Sequence, residues 1–192
     1  MNLPNKLTLA RVILVPVCMF FIVYPVFGEI WTPIVALVIF SLTSLTDMVD
    51  GRIARKYNLI TDLGKFLDPV ADKLLIIGCY TAILVAHREE APLCNVAFWC
   101  LFLIFFRELA VTSLRAMVMG KVDVAANIWG KIKTVSQMVC VIVVIVEPLF
   151  CRFTGLNTYS VASIVTLVFS AVAAVFSGIN YMRAYMPYLK KE

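Results

Sequence analysis

Charged residues are scarce in this chain of 192 residues. Asp, Glu, Lys and Arg make up only 15% of it, and hydrophobic residues make up 62%. Typical soluble domains have about 25% charged residues and about 45–50% apolar ones. A soluble domain of this length cannot bury so much apolar surface, whereas a bilayer can hold it. Because long apolar runs without two-residue alternation must be helices in lipid, the composition predicts an all-α, polytopic membrane protein.

Histidine is nearly missing, and the cysteines lack a metal-binding pattern. His87 is the only histidine and lies in a predicted loop, which argues against acid–base catalysis by histidine. The six cysteines show no Cys-x-x-Cys spacing, so we expect them to serve core packing.

Six apolar segments are separated by short loops. The spans that we predict are, by residue number, 8–28, 30–54, 63–87, 93–119, 127–150 and 158–183. Each is long enough to cross a bilayer. We expect the first to be a retained anchor helix rather than a cleaved signal peptide. No linker or repeat divides the chain, so we expect residues 1–192 to form a single membrane domain.

Basic residues are distributed unevenly about these spans. If the N-terminus is cytoplasmic, fifteen of the seventeen lie at cytoplasmic ends, and only Arg88 and Arg152 lie on the other side. This bias predicts a cytoplasmic N-terminus. The net charge of +5 is explained by this topology and requires no nucleic acid partner. We expect a bacterial inner membrane, because we find no transit peptide.

Acidic residues are concentrated in the hairpin of the second and third spans. Asp47 and Asp50 are three residues apart on the second span and therefore share one helix face. Asp68 and Asp72, four residues apart on the third span, share another, and the short turn makes the two helices antiparallel neighbours. A carboxylate within an apolar helix is costly unless it is paired or bound to a cation. Oxygen ligands without His or Cys suit Mg²⁺ or Mn²⁺, so four carboxylates predict a two-metal site for phosphoryl chemistry.

Small residues lie on the same hairpin. Gly51, Ala54 and Gly64 would allow a nucleotide or the facing helix to approach the backbone. Arg55 is positioned to pair with a phosphate or a carboxylate. The alternative interpretation is a structural network, since small residues often mediate helix crossings in membranes. That alternative accounts for a single buried aspartate more readily than for four at these spacings.

These residues form the signature of a known family. The chain has Asp-x-x-Asp-Gly-x-x-Ala-Arg from Asp47 to Arg55, then eight residues, then Gly-x-x-x-Asp-x-x-x-Asp from Gly64 to Asp72. Over these 26 residues the chain resembles the CDP-alcohol phosphatidyltransferases, without departure at the eight fixed positions. The resemblance implies six transmembrane helices, usually a homodimer, and a polar cavity open to the cytoplasm.

The resemblance also implies roles for individual residues. It implies that the four aspartates bind two divalent ions that hold the diphosphate of CDP-diacylglycerol, and that Asp72 is the general base for the acceptor hydroxyl. The hydroxyl oxygen would attack the phosphorus attached to diacylglycerol, and CMP would leave. The residues implied to bind CDP-diacylglycerol are Asn5, Thr8, Gly51, Ala54, Arg55, Thr61 and Gly64.

Cations in the fourth and fifth spans indicate the acceptor. Arg107 and Arg115 interrupt the fourth span, and Lys131 and Lys133 interrupt the start of the fifth. A surplus of cations facing a cavity favours an anionic acceptor, and arginine suits phosphate well. The local strings around these residues resemble the phosphatidylglycerophosphate synthase branch of the family, which uses glycerol 3-phosphate. The alternative is that these cations snorkel to the interface or balance the aspartates.

Two competing functions remain open at this point. Within the family, a cardiolipin synthase would use phosphatidylglycerol in place of glycerol 3-phosphate. From another class, a membrane transporter could line its route with intramembrane Asp and Arg residues. A route should have polar residues through the full membrane depth, whereas the key charges here all lie in the predicted cytoplasmic half. We therefore expect a transferase that uses CDP-diacylglycerol and glycerol 3-phosphate.

Overall fold

The computed structural model is a bundle of six α-helices. It describes residues 2–56, 61–118, 128–155 and 160–189, apart from the side chains of residues 3, 4, 47–56, 62, 63, 65 and 189. The helices are α1 (Leu3–Val23), α2 (Gly28–Lys56), α3 (Asp62–Ala86), α4 (Ala91–Val118), α5 (Ile128–Thr154) and α6 (Val161–Leu189). Over these ranges no strand occurs, and all six helices are long and apolar enough to cross a membrane. The predicted all-α architecture with six spans is confirmed.

The ends of the first helix differ from the prediction of 8–28. It begins at Leu3, with Pro4 in its first turn, where the missing proline N–H breaks no helical hydrogen bond. It ends at Val23, because Tyr24 has an extended backbone, as residues before a proline usually do. Residues 3–7 therefore belong to α1 as well, and they lengthen the polar beginning of this helix.

The helices form two groups of three. In the first group α1 packs against both α2 and α3, and in the second α6 packs against both α4 and α5. Contacts of α3 with α4 and α5, and of α2 with α5, join the groups. Helix α1 runs parallel to α3, since Asn5 contacts Thr61 and, farther along both helices, Arg11 contacts Asp72.

Neighbouring pairs of helices also define the two ends of the bundle. Glu29 at the start of α2 forms an ion pair with Arg152 near the end of α5, so these helices are antiparallel. Helices α1, α3 and α5 begin at one end, where α2, α4 and α6 terminate. We call this the aspartate end, because it carries Asp68 and Asp72, and we call the other the opposite end.

An apolar core fills the bundle between the two ends. All six helices contribute buried side chains to it, among them Val15, Phe40, Ile104, Val144 and Leu167. Many other large apolar side chains are exposed on the outside of the bundle, as expected where a helix faces lipid. The chain is therefore an integral, multi-pass membrane protein.

A buried carboxylate at the opposite end caps the last helix. Glu147 on α5 is 8% exposed and accepts hydrogen bonds from the backbone N–H groups of Ala162, at 3.0 Å, and Ser163, at 2.7 Å. The Ser163 hydroxyl also donates to it. The first N–H groups of a helix have no partner within the helix, and the helix dipole favours a negative charge there. Glu147 therefore links α5 to α6.

We predict that Glu147→Ala destabilises the protein. It would remove the acceptor of the Ala162 and Ser163 N–H groups, and leaving the buried Ser163 N–H unpaired costs about 1–3 kcal/mol. Thermal unfolding of the purified protein in detergent should show a lower midpoint for this variant. Glu89→Ala, which removes an exposed carboxylate from the same end, is the matched control, and its unfolding midpoint should equal that of the wild type. Equal midpoints for the two variants would contradict the capping role.

Candidate active site

The signature residues of the second span lie in the last three turns of α2. This stretch is helical, so the i, i+3 spacing of Asp47 and Asp50 gives them one helix face. The side chains of these aspartates, and those of Ala54 and Arg55 next to Gly51, lie outside the described residues.

The aspartates of the third span are fully described. Asp68 and Asp72 lie one turn apart on α3, and both residues are exposed. The predicted spacing therefore gives two accessible carboxylates on one face of α3, near the aspartate end.

Polar residues of α1 lie against the start of α3. Thr61 caps α3 by accepting a hydrogen bond from the Gly64 N–H at 3.1 Å, and its hydroxyl donates to Asn5 Oδ1 at 3.0 Å. A Cβ added to Gly64 would lie only 2.9 Å from that same Asn5 oxygen, so glycine allows Asn5 to approach the start of α3 in this position. One turn along α1, the Thr8 hydroxyl donates to Asp68 Oδ1 at 2.8 Å.

The next turn of α1 brings a cation to the second aspartate. Arg11 is completely buried, and its Nη1 lies 3.4 Å from Asp72 Oδ1. Sequence reasoning gave Arg11 no role at the site, although a cation within an apolar span must find a partner. The face of α3 that carries Gly64, Asp68 and Asp72 thus packs against Asn5, Thr8 and Arg11 of α1.

A second polar group joins α4, α5 and α6. Glu108 accepts a hydrogen bond from Arg107 Nη1 at 2.9 Å and another from the Lys133 ammonium. Arg107 Nη2 donates to the Ser177 hydroxyl of α6 at 2.8 Å. We call Arg107, Glu108, Lys133 and Ser177 the cation cluster, since it carries two positive charges and one negative charge. All four side chains are largely buried.

Aromatic and small residues of α6 support this cluster. The guanidinium carbons of Arg107 and Arg115 lie 5.9 Å and 5.5 Å from the centre of the Tyr181 ring, within cation–π range. A Cβ on Gly178 would lie 2.9 Å from Arg107 Cγ, so glycine makes room for the arginine stem. Sequence reasoning missed Ser177, Gly178 and Tyr181, because small and aromatic residues in an apolar span resemble ordinary packing.

The cation cluster and the aspartate row, which is Asp68 and Asp72 on α3, border the same region. Lys73, next to Asp72, donates to the Thr112 hydroxyl at 2.7 Å, and that hydroxyl donates to the Glu108 carbonyl at 2.7 Å. Accessible carboxylates and buried cations therefore adjoin at the aspartate end, an arrangement suited to two phosphate-bearing substrates.

Lys131 does not join the cation cluster. It is exposed and lines a groove of about 380 Å³ between α5 and α6, together with apolar residues such as Val135 and Phe169. Residues two apart on a helix point in nearly opposite directions, so Lys131 and Lys133 cannot face the same region.

The residues of the predicted metal centre are suited to hard cations. Asp68 and Asp72 supply accessible carboxylate oxygens, which Mg²⁺ and Mn²⁺ prefer. Within the described part of the chain, no group of three or more His, Cys, Asp or Glu residues could hold a metal ion. A complete centre would therefore need Asp47 and Asp50 from α2.

Comparisons with known proteins agree with this arrangement of residues. Residues 1–178 match the family model described as CDP-alcohol phosphatidyltransferase. A Bacillus subtilis protein named CDP-diacylglycerol–glycerol-3-phosphate 3-phosphatidyltransferase is 38% identical over 182 residues, which cover 90% of this chain and 91% of the relative. A Rickettsia typhi protein of the same name is 36% identical, covering 97% and 98% of the two chains. The chain therefore belongs to the CDP-alcohol phosphatidyltransferase family, as its signature predicts.

Proposed function

We propose that this protein transfers the phosphatidyl group of CDP-diacylglycerol to glycerol 3-phosphate, giving phosphatidylglycerophosphate and CMP. The observation that carries the proposal is the link between α3 and α4 at the aspartate end, where Lys73, next to Asp72, donates to Thr112, whose hydroxyl donates to the Glu108 carbonyl. Carboxylates can hold a diphosphate through divalent cations, and a buried arginine–lysine pair suits the phosphate of a small acceptor. The names of the bacterial relatives agree with this reaction.

In this reaction Asp72 acts as the general base. It is accessible, with its side chain 60% exposed, and Arg11 holds one of its oxygens. Asp72 takes the proton from the acceptor hydroxyl as the oxygen bonds to the phosphorus attached to diacylglycerol. The bond from that phosphorus to the CMP oxygen breaks, and CMP leaves with the electron pair.

The metal centre consists of Asp47, Asp50, Asp68 and Asp72, holding two ions of Mg²⁺ or Mn²⁺. The family uses divalent metals, and the number and identity of the ions are our proposal. When bound, such ions neutralise charge on the transferring group and on the departing CMP. Thr8 supports this centre by holding Asp68 in position.

The nucleotide of CDP-diacylglycerol binds where α1 meets the hairpin of α2 and α3. The hydrogen bonds of Thr61 with Asn5 and with the Gly64 N–H support this location, because they bring a polar side chain of α1 to the start of α3, one turn before Asp68. The remaining contacts would come from Thr8 and from the end of α2, namely Gly51, Ala54 and Arg55.

The acceptor phosphate binds at the cation cluster. Arg107 and Lys133 supply the charge, and Arg115, which also lies within cation–π range of the Tyr181 ring, adds to it. Glu108 holds the two cations in place before the substrate arrives. We leave Lys131 out of the acceptor site because it lies in the separate groove.

The proposed reaction also implies an orientation. The aspartate end lies on the cytoplasmic side of a bacterial inner membrane, since the basic residues are concentrated at that end. As is usual in the family, the protein forms a homodimer.

The reaction is tested by CMP release from purified protein supplied with CDP-diacylglycerol, Mg²⁺ or Mn²⁺, and one acceptor at a time. We expect release with glycerol 3-phosphate, and a loss of at least about 100-fold in Asp72→Asn, the effect of removing a general base. Glu89→Ala should retain full activity. Release with phosphatidylglycerol alone would keep the family chemistry but contradict the acceptor, and an active Asp72→Asn would contradict the base.

The acceptor site is tested by comparing two lysines. Lys133→Gln removes a buried cation of the cluster, so KM for glycerol 3-phosphate should rise about 10- to 100-fold, the value of one charged hydrogen bond. Lys131→Gln is the matched control, since it changes the same residue type two positions away, and its KM should stay near that of the wild type. KM for CDP-diacylglycerol should change in neither variant. Equal effects on the acceptor KM would contradict this assignment.

A further inference from the structure

Gln137 is an amide buried on α5. It is 0% exposed, and neither its Oε1 nor its Nε2 has a hydrogen-bond partner within the described part of the chain. An amide can accept at its oxygen and donate twice from its nitrogen. Leaving such a group unpaired in an apolar interior is unfavourable, so an unpaired one requires a reason.

The position of Gln137 connects it to the cation cluster. It lies one helical turn beyond Lys133, and residues four apart share a helix face. The same face includes Gly130 at the beginning of α5, where an added Cβ would approach the Tyr181 ring of α6 at 4.0 Å. Gln137 therefore points inward, one layer deeper in the membrane than the cluster.

A second unpaired group lies on α2 at the same depth. The Ser44 hydroxyl has no partner among the described residues, and Ser44 precedes Asp47 by three positions on the same helix face. Helices α2 and α5 are antiparallel and are joined at the opposite end by the Glu29–Arg152 ion pair. Ser44 lies fifteen residues after Glu29 and Gln137 lies fifteen residues before Arg152, so both are about 22 Å from that pair.

Unpaired polar atoms also occur within and beside the cluster itself. Arg107 Nε and Asn180 Nδ2 are buried without a partner among the described residues. Asn180 follows Ser177 by three positions on α6 and so shares its face. The interior around the cluster therefore offers several donors, together with the amide oxygen of Gln137, to a molecule rich in oxygen.

Glycerol 3-phosphate has one group that the proposed site leaves without a partner. Its phosphate binds Arg107 and Lys133, and its terminal hydroxyl, the less hindered nucleophile, reaches Asp72. The hydroxyl on the middle carbon must then face the interior of the bundle. An apolar wall there would leave that hydroxyl unpaired, whereas an amide can both accept from it and donate to it.

We propose that Gln137, with Ser44 at the same depth on α2, binds the middle hydroxyl of the acceptor and thereby makes the enzyme specific for a glycerol phosphate. This inference rests on the proposed function. A site built to hydrogen-bond a substrate hydroxyl rejects the analogue that lacks it, because the buried groups of the site are then left unpaired. Gln137 is thus a specificity-determining residue for the same reaction.

The test compares two acceptors, glycerol 3-phosphate and 1,3-propanediol monophosphate, which lacks only the middle hydroxyl. Wild-type kcat/KM should favour glycerol 3-phosphate at least about 10-fold. In Gln137→Met this preference should fall at least about 5-fold, since the middle hydroxyl then loses the amide and keeps only the Ser44 hydroxyl. The preference is a ratio measured on one preparation, so partial unfolding cancels. KM for CDP-diacylglycerol should be unchanged.

Two serines provide a matched comparison. Ser44→Ala should reduce the preference, whereas Ser136→Ala should preserve it, because Ser136 is a buried serine of α5 that lines the groove with Lys131. If Gln137→Met does not fold, Gln137→Asn takes its place, since it keeps an amide but withdraws it by one methylene and should also lower the preference.

The outcomes distinguish a failure of the role of Gln137 from a failure of the proposed function. A preference that is unchanged in the Gln137 variant, or absent from the wild type, would overturn the role of Gln137 while leaving the acceptor in place. A wild-type protein that does not use glycerol 3-phosphate at all would overturn the proposed function, and this inference with it.

Discussion

The cost of an unpaired charge inside an apolar bundle determines where polar chemistry occurs in this protein. Arg11 is completely buried and lies beside Asp72, and Glu108 binds both Arg107 and Lys133. The Arg11–Asp72 pair joins α1 to α3 and the Glu108–Lys133 pair joins α4 to α5, so the charges that serve the site also hold the aspartate end together. Breaking one partner of such a pair leaves the other charge buried and uncompensated, which is why variants that keep the shape of the side chain are the informative ones.

The same constraint separates an enzyme from a transporter. A permeation route needs polar side chains through the full depth of the membrane. The middle of the bundle is filled by buried apolar side chains such as Phe40, Ile104 and Val144, and the buried Glu147 at the opposite end is occupied in capping α6. A polar region that opens at one end and meets an apolar core suits a site where two substrates meet.

Sequence alone predicted the features that depend on spacing along one helix. Six long apolar runs predicted six spans, and the signature from Asp47 to Asp72 predicted the family, both of which are confirmed. Contacts between helices distant in the chain were not predictable, such as those of Arg107 with Ser177 and Gly178. Helical periodicity could have shown that Lys131 and Lys133 point apart, but not which of them faces inward, because that depends on how α5 packs.

In the proposed function, the metal centre and the cation cluster hold two substrates side by side at the aspartate end. The most direct measurement is the ³¹P NMR signal of bound glycerol 3-phosphate with Mn²⁺ at the metal centre, compared with Mg²⁺. Paramagnetic broadening by Mn²⁺ in the wild type, abolished in an Asp68→Asn, Asp72→Asn double variant that still binds glycerol 3-phosphate, is the predicted result. If Mn²⁺ and glycerol 3-phosphate are both bound and the ³¹P signal stays sharp, the two sites are far apart, and the shared location of the two substrates is contradicted.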